Sequence, residues 1–317
     1  MTQRILVPLD GSRFGEHALP IAISLAQRSG AALELATVAM PETPVNQAPE
    51  GTGVRGDDSR DRGRARASAY LEEVSSRIRE AGYGGALSSE VISAGNTAHS
   101  IVRHVVEGEI GLVVMTTHGR GPLQRAWLGS TTDGVIRRSP CPVLLIRPDA
   151  ENDGSKDEAF VDLTTFSTRF GKVLIPLDGS KAAEELLRIA PAIADPEAHF
   201  TLLRVVAPLV AGGSPYLPHV VAEARDEEGI RRAAREYLEG VAADFGLEGR
   251  EVRIETRLQG QAGMAILQVA EKEEMDLIAM STTGRGGVSR LLLGSVADKV
   301  IRGAPCPILI YRKPEEE

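Results

Sequence analysis

The sequence predicts two consecutive α/β domains, each built around a parallel, doubly wound sheet. Three observations support this prediction. The chain has 317 residues, about twice the usual length of a domain. One set of motifs occurs twice, and in each half short apolar runs alternate with helical patterns. Short apolar runs are typical of strands covered on both faces, and strict alternation of strands with helices favours parallel pairing.

The duplication is visible in two stretches of the chain. Arg4–Ser12 returns as Lys172–Ser180, and Gly119–Leu145 returns as Gly284–Ile310 at a constant offset of 165, with 15 of 27 positions identical. A repeat of this length indicates a duplicated domain and not a short-period solenoid. The polar, acidic stretch between the copies has the composition of a linker. We therefore place the first domain at residues 1–148, the linker at 149–169 and the second domain at 170–313.

Taken in order, the elements follow from the alternation of the two patterns. The predicted strands of the first copy are Ile5–Leu9, Leu33–Val38, Leu87–Ile92, Leu112–Met115 and Val143–Ile146. The helices between them are predicted at Glu16–Arg28, Arg64–Glu80, Thr97–Glu107 and Ser130–Arg138. In the second copy the strands are predicted at Val173–Leu177, Phe200–Val206, Glu251–Leu258, Leu277–Met280 and Ile308–Tyr311. We expect Pro41–Gly63 and its counterpart Ala207–His219 to form mobile loops.

Composition limits the function. The formal charge of −8 and the aromatic content of 4% argue against a nucleic-acid-binding protein, which needs a basic face or stacking platforms. No run approaches the roughly 18 apolar residues of a membrane span, and Met1–Pro8 has no signal-peptide pattern. We therefore expect a cytoplasmic protein. Cys141 and Cys306 have neither disulfide nor metal-ligand spacing, and we expect both to be small buried apolar residues.

The residues after the first and fourth strands are the candidate ligand contacts. In an open parallel sheet, ligands bind beyond the carboxyl ends of the strands, where the strand order reverses. The first strand is followed by Asp10 and Ser12, and the equivalent positions are Asp178 and Ser180. An aspartate there can accept hydrogen bonds from a ribose or a base, or the segment can cap the following helix. The two roles can coexist, and the sequence leaves both open.

The fourth strand leads into a glycine loop and then a helix. Gly119 and Gly284 allow the backbone to approach a phosphate closely, and the helix starts at Gly129–Ser130 and Gly294–Ser295 offer amides that favour an anion. The alternative is that Ser-x-x-Asp forms a capping box in each copy, at Ser130 with Asp133 and at Ser295 with Asp298. His118 follows the first of these strands, but Thr283 replaces it in the second copy, so we do not predict a required base there.

These motifs together resemble the universal stress protein family. The resemblance rests on Ile5–Ser12, on the loop from Thr116 to Ser130 and on the Ser139–Ile146 ending, and on the equivalent segments of the second copy, and it spans both halves. It implies a Rossmann-like, adenine nucleotide alpha hydrolase-like fold with a five-stranded parallel sheet of order 3-2-1-4-5 in each domain. It also implies that the final strands of the two domains pair within the chain, and a homodimer of tandem chains is left open.

The ATP-binding branch of that family has a Gly-x2-Gly-x9-Gly-Ser/Thr loop, and the resemblance implies one adenine-nucleotide site per copy, with or without Mg²⁺. The implied contacts in the first copy are Pro8, Asp10, Val38, Met115, Thr116, His118, Gly119, Arg120, Gly129, Ser130 and Thr131. Those in the second are Pro176, Asp178, Val205, Met280, Ser281, Thr283, Gly284, Arg285, Gly294, Ser295 and Val296. Thr116 and Ser281 stand where the family's loop has its first glycine, and a side chain there either crowds the nucleotide or adds a hydroxyl contact.

The leading functional hypothesis is therefore an ATP-binding regulator of the stress response, which is not an enzyme. Neither copy contains a nucleophile, base and orienting group in a shared pattern, so we predict no catalytic residues and at most a slow ATPase. We also predict no metal-ligand cluster. The competing hypothesis is an interaction module of the same fold that has lost the nucleotide.

Overall fold

The structure is a computed structural model that describes residues 3–40, 56–93, 95–117, 128–147, 161–163, 169–207, 227–245, 247, 249–282 and 293–312. The chain divides into two compact units, Met1–Thr168 and Arg169–Glu317. Each unit contains five parallel strands and its own buried apolar residues, as expected for a duplicated domain. The His118, Gly119, Arg120, Thr283, Gly284 and Arg285 positions of the predicted site lie outside the described residues.

Strands and helices alternate along the first unit. Its strands are β1 (Arg4–Leu9), β2 (Ala32–Val38), β3 (Leu87–Ile92), β4 (Leu112–Thr116) and β5 (Val143–Ile146). Its helices are α1 (Arg13–Glu16), α2 (Leu19–Ser29), α3 (Gly56–Glu80), α4 (Thr97–Glu107) and α5 (Ser130–Arg138).

The second unit repeats this order. Its strands are β6 (Lys172–Pro176), β7 (His199–Val206), β8 (Val252–Leu258), β9 (Leu277–Ser281) and β10 (Ile308–Tyr311). Its helices are α6 (Lys181–Glu184), α7 (Leu186–Ile193), α8 (Glu227–Asp244), α9 (Ala262–Lys272) and α10 (Ser295–Gly303).

The strand order confirms the predicted fold class. In the first unit β1 pairs with β2 and β4, β2 pairs with β3, and β4 pairs with β5, all in parallel, which gives the order β3-β2-β1-β4-β5. In the second unit β6 pairs with β7 and β9, β7 with β8, and β9 with β10, again in parallel. The five strands of each unit therefore have the order 3-2-1-4-5, and this order reverses beside the first strand.

Two helix predictions need correction. The single helix predicted at Glu16–Arg28 is two helices, α1 and α2, and Pro20 in the first turn of α2 has no N–H to donate to the Glu16 carbonyl. Helix α3 begins at Gly56, so residues 56–63 are helical, although we predicted them to be part of a loop. Arg60 and Arg62 are exposed and have good helix propensity, which an exposed helical turn accommodates.

The core of each unit consists of apolar strand residues packed against the helices. Strands β4 and β5 are buried along their whole length, as are the inner positions of β1, β6 and β9. Burial on both faces explains why the strands appear in the sequence as continuous apolar runs. Among the helices that the structure describes, none is both long and apolar enough to cross a membrane.

Candidate functional site

The candidate site of each unit lies at the carboxyl ends of its first, second and fourth strands. Strand β1 lies between β2 and β4, so the chain segments that follow β1 and β4 begin at neighbouring positions on the same edge of the sheet. The same holds for β6 between β7 and β9. This is the position at which open α/β sheets bind ligands.

Asp10 and Ser12 form a tight turn that starts α1. The Ser12 hydroxyl accepts a hydrogen bond from the Gly15 amide at 3.1 Å, so Ser12 is the N-cap of this helix. Asp10 in turn accepts from both the amide and the hydroxyl of Ser12 through its Oδ1 atom, at 2.9 and 2.5 Å. The capping role left open by the sequence is therefore confirmed for Ser12, and Asp10 orients the cap.

The second unit builds the same turn. The Ser180 hydroxyl accepts from the Ala183 amide at 3.3 Å, and Asp178 Oδ1 accepts from the Ser180 amide and hydroxyl at 2.9 and 2.6 Å. Gly11 and Gly179 adopt positive φ angles of 76° and 83° in these turns, a conformation that favours glycine. Both aspartates are thus held with their carboxylates at the carboxyl end of the first strand. Asp10 is exposed and Asp178 is half-buried.

The starts of α5 and α10 have no side-chain cap. Gly129 and Gly294 are the N-cap residues, and among the described residues no side chain accepts a hydrogen bond from the first amides of either helix. The capping-box alternative is therefore wrong for both copies. Each acid instead pairs one turn further along its own helix, Asp133 with Arg137 at 2.7 Å and Asp298 with Arg302 at 2.8 Å.

The strand end and the helix start are joined by a backbone hydrogen bond. The Gly129 amide donates to the Thr117 carbonyl at 2.9 Å, and the Gly294 amide donates to the Thr282 carbonyl at 3.1 Å. A Cβ atom on Gly294 would lie 3.0 Å from that carbonyl oxygen, so a side chain at this position would force the strand and helix apart. The last glycine of the loop motif thus has a packing role in addition to any ligand role.

Thr116 and Ser281, which replace the motif glycine, are the last residues of β4 and β9. Thr116 is buried, and its carbonyl accepts a hydrogen bond from the Thr132 hydroxyl at 3.1 Å. Ser281 is half-buried. In the next position Thr282 is buried, and its hydroxyl has no hydrogen-bond partner within the described part of the chain. Buried hydroxyls normally have a hydrogen-bond partner, so the Thr282 hydroxyl, just after β9 in the second site, is unusual.

The remaining predicted contacts surround this edge of the sheet. Val38 is the last residue of β2 and Val205 the penultimate residue of β7, and both are half-buried. Met115 and Met280 are buried near the ends of β4 and β9. The other four lie within the first strands or at the second position of α5 and α10: Pro8, Pro176, Thr131 and Val296. Val296 is the most exposed of these apolar side chains, at 36%.

A tyrosine–glutamate pair beside the aspartate turn was missed by sequence reasoning. In the first unit the Tyr70 hydroxyl donates to Glu16 at 3.2 Å, and Arg77 bonds the other oxygen of this buried carboxylate at 2.8 Å. In the second unit the Tyr237 hydroxyl donates to Glu184 at 2.9 Å. Each glutamate follows its strand-end aspartate by six positions, so alignment of the two copies would have identified the pair.

The electrostatics of the pair is similar in both units. Burial raises the pKa of Tyr70 far above its usual value, and the negative charge of Glu16 raises it further, with a smaller contribution from Asp10. Burial likewise raises the pKa of Tyr237, and its hydrogen bond to Glu184 adds to the effect. Both phenols therefore stay protonated and act as hydrogen-bond donors at neutral pH.

The cysteines match the sequence interpretation. Cys141 and Cys306 are both buried free thiols. Burial raises the pKa of Cys141 and raises that of Cys306 to about 12, so neither forms a thiolate readily at neutral pH. Among the described residues, no group of three or more His, Cys, Asp and Glu side chains is placed to hold a metal ion.

Comparison with known proteins identifies the family. The Universal stress protein family matches residues 1–147 and again residues 169–312. A universal stress protein of Methanocaldococcus jannaschii is 36% identical over 152 residues, which cover 47% of this chain and 85% of that protein. The chain therefore belongs to the universal stress protein family, in a form with two copies of the family's domain, and the resemblance found in the sequence is confirmed.

A solved structure of the family supports the fold, and a second match covers about half of the chain. The crystal structure of a universal stress protein from Archaeoglobus fulgidus matches with a TM-score of 0.66 at 22% identity, and the match covers 99% of this chain and 100% of that chain. A universal stress protein in complex with cAMP is 27% identical, with a TM-score of 0.34, and covers 46% of this chain and 97% of that chain. The first of these supports the two-domain α/β architecture over the whole length.

Proposed function

We propose that each domain binds ATP or a related adenine nucleotide and that the protein acts as a regulator in the stress response. The observation that carries this proposal is the pair of uncapped helix starts at Gly129 and Gly294. Each follows the fourth strand of its sheet, on the edge where the Asp10 or Asp178 turn follows the first strand. Uncapped amides and the helix dipole favour an anion such as a phosphate.

In this proposal the phosphates bind at the starts of α5 and α10, and Gly119 and Gly284 are the loop glycines proposed to contact them. Asp10 or Asp178 accepts hydrogen bonds from the ribose, and Val38 or Val205 contacts the adenine. The Asp-Ser turn supports this role, because it holds the carboxylate at the strand end before any ligand arrives. Any Mg²⁺ would bind mainly through the nucleotide phosphates.

Regulation follows if the nucleotide binds one conformer or assembly better than another, because a ligand shifts an equilibrium only by its differential affinity. We propose no catalytic residues, and a slow ATPase activity at most. We also propose that the domains comprise residues 1–148 and 170–313, that the protein is cytoplasmic, and that it binds neither nucleic acid nor membranes. The competing proposal, an interaction module without nucleotide, requires that neither helix start binds a phosphate.

The test is the nucleotide content of the purified protein followed by calorimetric titration with ATP and Mg²⁺. Ser130→Asp and Ser295→Asp each place a carboxylate in the first turn of an uncapped helix. Both serines are exposed, and an acid at this position stabilises the helix while repelling phosphate. We expect two equivalents of ATP for the wild type, one for each variant and none for the double variant.

Ser130→Ala and Ser295→Ala are the matched controls, because they remove the hydroxyl without adding charge. Release of phosphate during the titration separates slow hydrolysis from binding. If ATP at millimolar concentration neither binds nor raises the melting temperature of the wild type, the interaction-module proposal replaces this one.

A further inference from the structure

The two candidate sites differ in where an arginine lies, and only in the second is it at the end of the second strand. Tyr70 and Tyr237 lie 167 positions apart, and the same offset places Arg204 opposite Thr37 and Asp244 opposite Arg77. Thr37 is buried, and its hydroxyl donates to the Leu9 carbonyl at 2.7 Å. In the second unit the equivalent Leu177 carbonyl accepts from the Arg204 guanidinium at 2.9 Å. A neutral hydroxyl in one site is therefore replaced by a cation in the other.

The position of this cation is set by its neighbours. The Arg204 guanidinium lies 5.1 Å from the centre of the Tyr237 ring, whose hydroxyl bonds Glu184. A cation at this distance from an aromatic ring is attracted by the quadrupole of the ring. Leu177 directly precedes Asp178, so the guanidinium lies at the carboxyl ends of β6 and β7, where the ribose is proposed to bind. In the first unit the corresponding cation, Arg77, comes from helix α3 and bonds the buried Glu16.

In dinucleotide-binding α/β folds, the charged residue at the end of the second strand determines whether a ribose with a free hydroxyl or one with a phosphate binds. An acid there accepts from the free hydroxyl, whereas an arginine nearby accommodates a phosphate on the ribose. Guanidinium–phosphate hydrogen bonds are charge-assisted and are stronger than neutral ones. We propose that the second domain prefers an adenine nucleotide that carries a phosphate on its ribose, with Arg204 as the specificity-determining residue, and that the first domain has no such preference. This inference rests on the nucleotide function proposed above.

The experiment compares AMP with adenosine 2′,5′-bisphosphate and adenosine 3′,5′-bisphosphate, which differ from AMP by one ribose phosphate. Titrations in the Ser130→Asp protein report on the second site, and those in the Ser295→Asp protein report on the first. At the second site we expect one of the bisphosphates to bind about tenfold more tightly than AMP, the size of one charge-assisted hydrogen bond. At the first site we expect the affinities for AMP and for both bisphosphates to agree within about twofold.

Reciprocal variants test whether Arg204 is the cause of the preference for a ribose phosphate. Arg204→Thr gives the second site the residue of the first, and we expect it to lose the tenfold preference. Thr37→Arg is expected to give the first site that preference. Arg235→Thr is the control, because it removes the same charge from an exposed position on α8 and should leave the preference in place. If the Thr37→Arg protein does not fold, the comparison of Arg204→Thr with Arg235→Thr decides the question.

The possible outcomes separate the two proposals. If ATP binds but the second site holds AMP and both bisphosphates equally, or if Arg204→Thr leaves the preference unchanged, the inference is wrong and the nucleotide function stands. If no adenine nucleotide binds to either site, both are overturned. A structural role of Arg204 alone would change the melting temperature of the Arg204→Thr variant without changing the ratio of affinities.

Discussion

At the residue scale, Glu16 shows how a buried charge is stabilised beside the first candidate site. Its carboxylate is 3% exposed and receives hydrogen bonds from Tyr70 and from Arg77, whose side chain is 17% exposed. A carboxylate removed from water needs such partners, because its desolvation is unfavourable by several kcal/mol. The Tyr70 hydroxyl and the Arg77 guanidinium connect helix α3 to α1, which begins at the Asp10–Ser12 turn.

We expect Arg77→Met to lower the free energy of unfolding by about 3 kcal/mol, because it leaves a buried carboxylate without its counter-charge. Urea denaturation followed by circular dichroism measures the change. Arg103→Met is the matched control. Arg103 pairs with Glu107 on the surface of α4 at 3.9 Å, with both side chains more than half exposed, so its loss should change stability by less than about 1 kcal/mol. Equal effects of the two substitutions would contradict this account.

A second buried pair predicts how stability depends on pH. Glu34 of β2 is buried and bonded to His104 of α4, with Arg4 at 3.6 Å from the same carboxylate. The hydrogen bond to His104 holds the pKa of Glu34 below its ordinary value, and the bond to Glu34 raises the pKa of His104 above its ordinary value. Other charges near His104 are Glu90 and Glu107, which act in the same direction.

The sign of the effect differs for the two partners. The raised pKa of His104 stabilises the fold below the ordinary value of 6.5, and this contribution is lost as the pH rises through the folded-state pKa. The lowered pKa of Glu34 stabilises the fold above the ordinary value of 4.5 and is lost at lower pH. We therefore expect His104→Gln to destabilise the first domain most between about pH 4.5 and 6.5 and less at pH 9. A loss of stability that is independent of pH would contradict this prediction.

At the element scale, each domain contains one helix pair that packs closely at a glycine. The pair is α4 and α5 in the first domain and α9 and α10 in the second. A Cβ atom on Gly134 of α5 would lie 2.5 Å from the Cβ of Ala98 on α4. In the second domain the offset of 165 places Gly263 opposite Ala98 and Lys299 opposite Gly134. There a Cβ on Gly263 would lie 3.2 Å from Lys299. Each helix pair thus keeps one glycine at the close approach, on opposite helices.

This arrangement predicts a compensating pair of substitutions. Gly134→Ala should destabilise the first domain by about 1–3 kcal/mol, because the added methyl group overlaps Ala98. Adding Ala98→Gly should recover most of that loss. The pair then has its glycine on α4 and the larger residue on α5, as the second domain has Gly263 on α9 and Lys299 on α10. A double-mutant cycle in urea measures the coupling. Additive effects of the two substitutions would show that the helices separate without strain.

The boundaries of the elements show where prediction from sequence worked and where it did not. Strands β1, β4 and β5 were predicted to within one residue at each end, because they are short, mostly buried apolar runs in a parallel sheet. The single helix predicted across Glu16–Arg28 was wrong, because the apolar pattern continues across the break between α1 and α2. The start of α3 was wrong because a charged, glycine-containing stretch was interpreted as a loop.

At the scale of the whole molecule, duplication gives two sites that need not be equivalent. The loop of the second copy between Gly284 and Gly294 is the more regular in sequence, whereas the first contains Pro122 and Trp127. We therefore predict that the second domain binds nucleotide more tightly. Gly284→Asp should reduce the affinity for ATP in calorimetric titration more than Gly119→Asp does. The reverse ranking would contradict the prediction.

The sequence by itself determined the duplication, the alternation of strands and helices and the family, because each depends on local patterns and on similarity between the two copies. Asp10, Gly129 and Ser130 were also predicted as candidate ligand contacts in this way, since they directly adjoin strands and helices. Only the tertiary structure decided that Gly129 and Gly294 are the N-cap residues of α5 and α10 and that Asp133 and Asp298 pair with arginines one turn further along. It also brought Glu16 to Tyr70, and Arg204 to Tyr237 and Leu177. These contacts join residues far apart in the chain, and their geometry depends on how helices pack on the sheet.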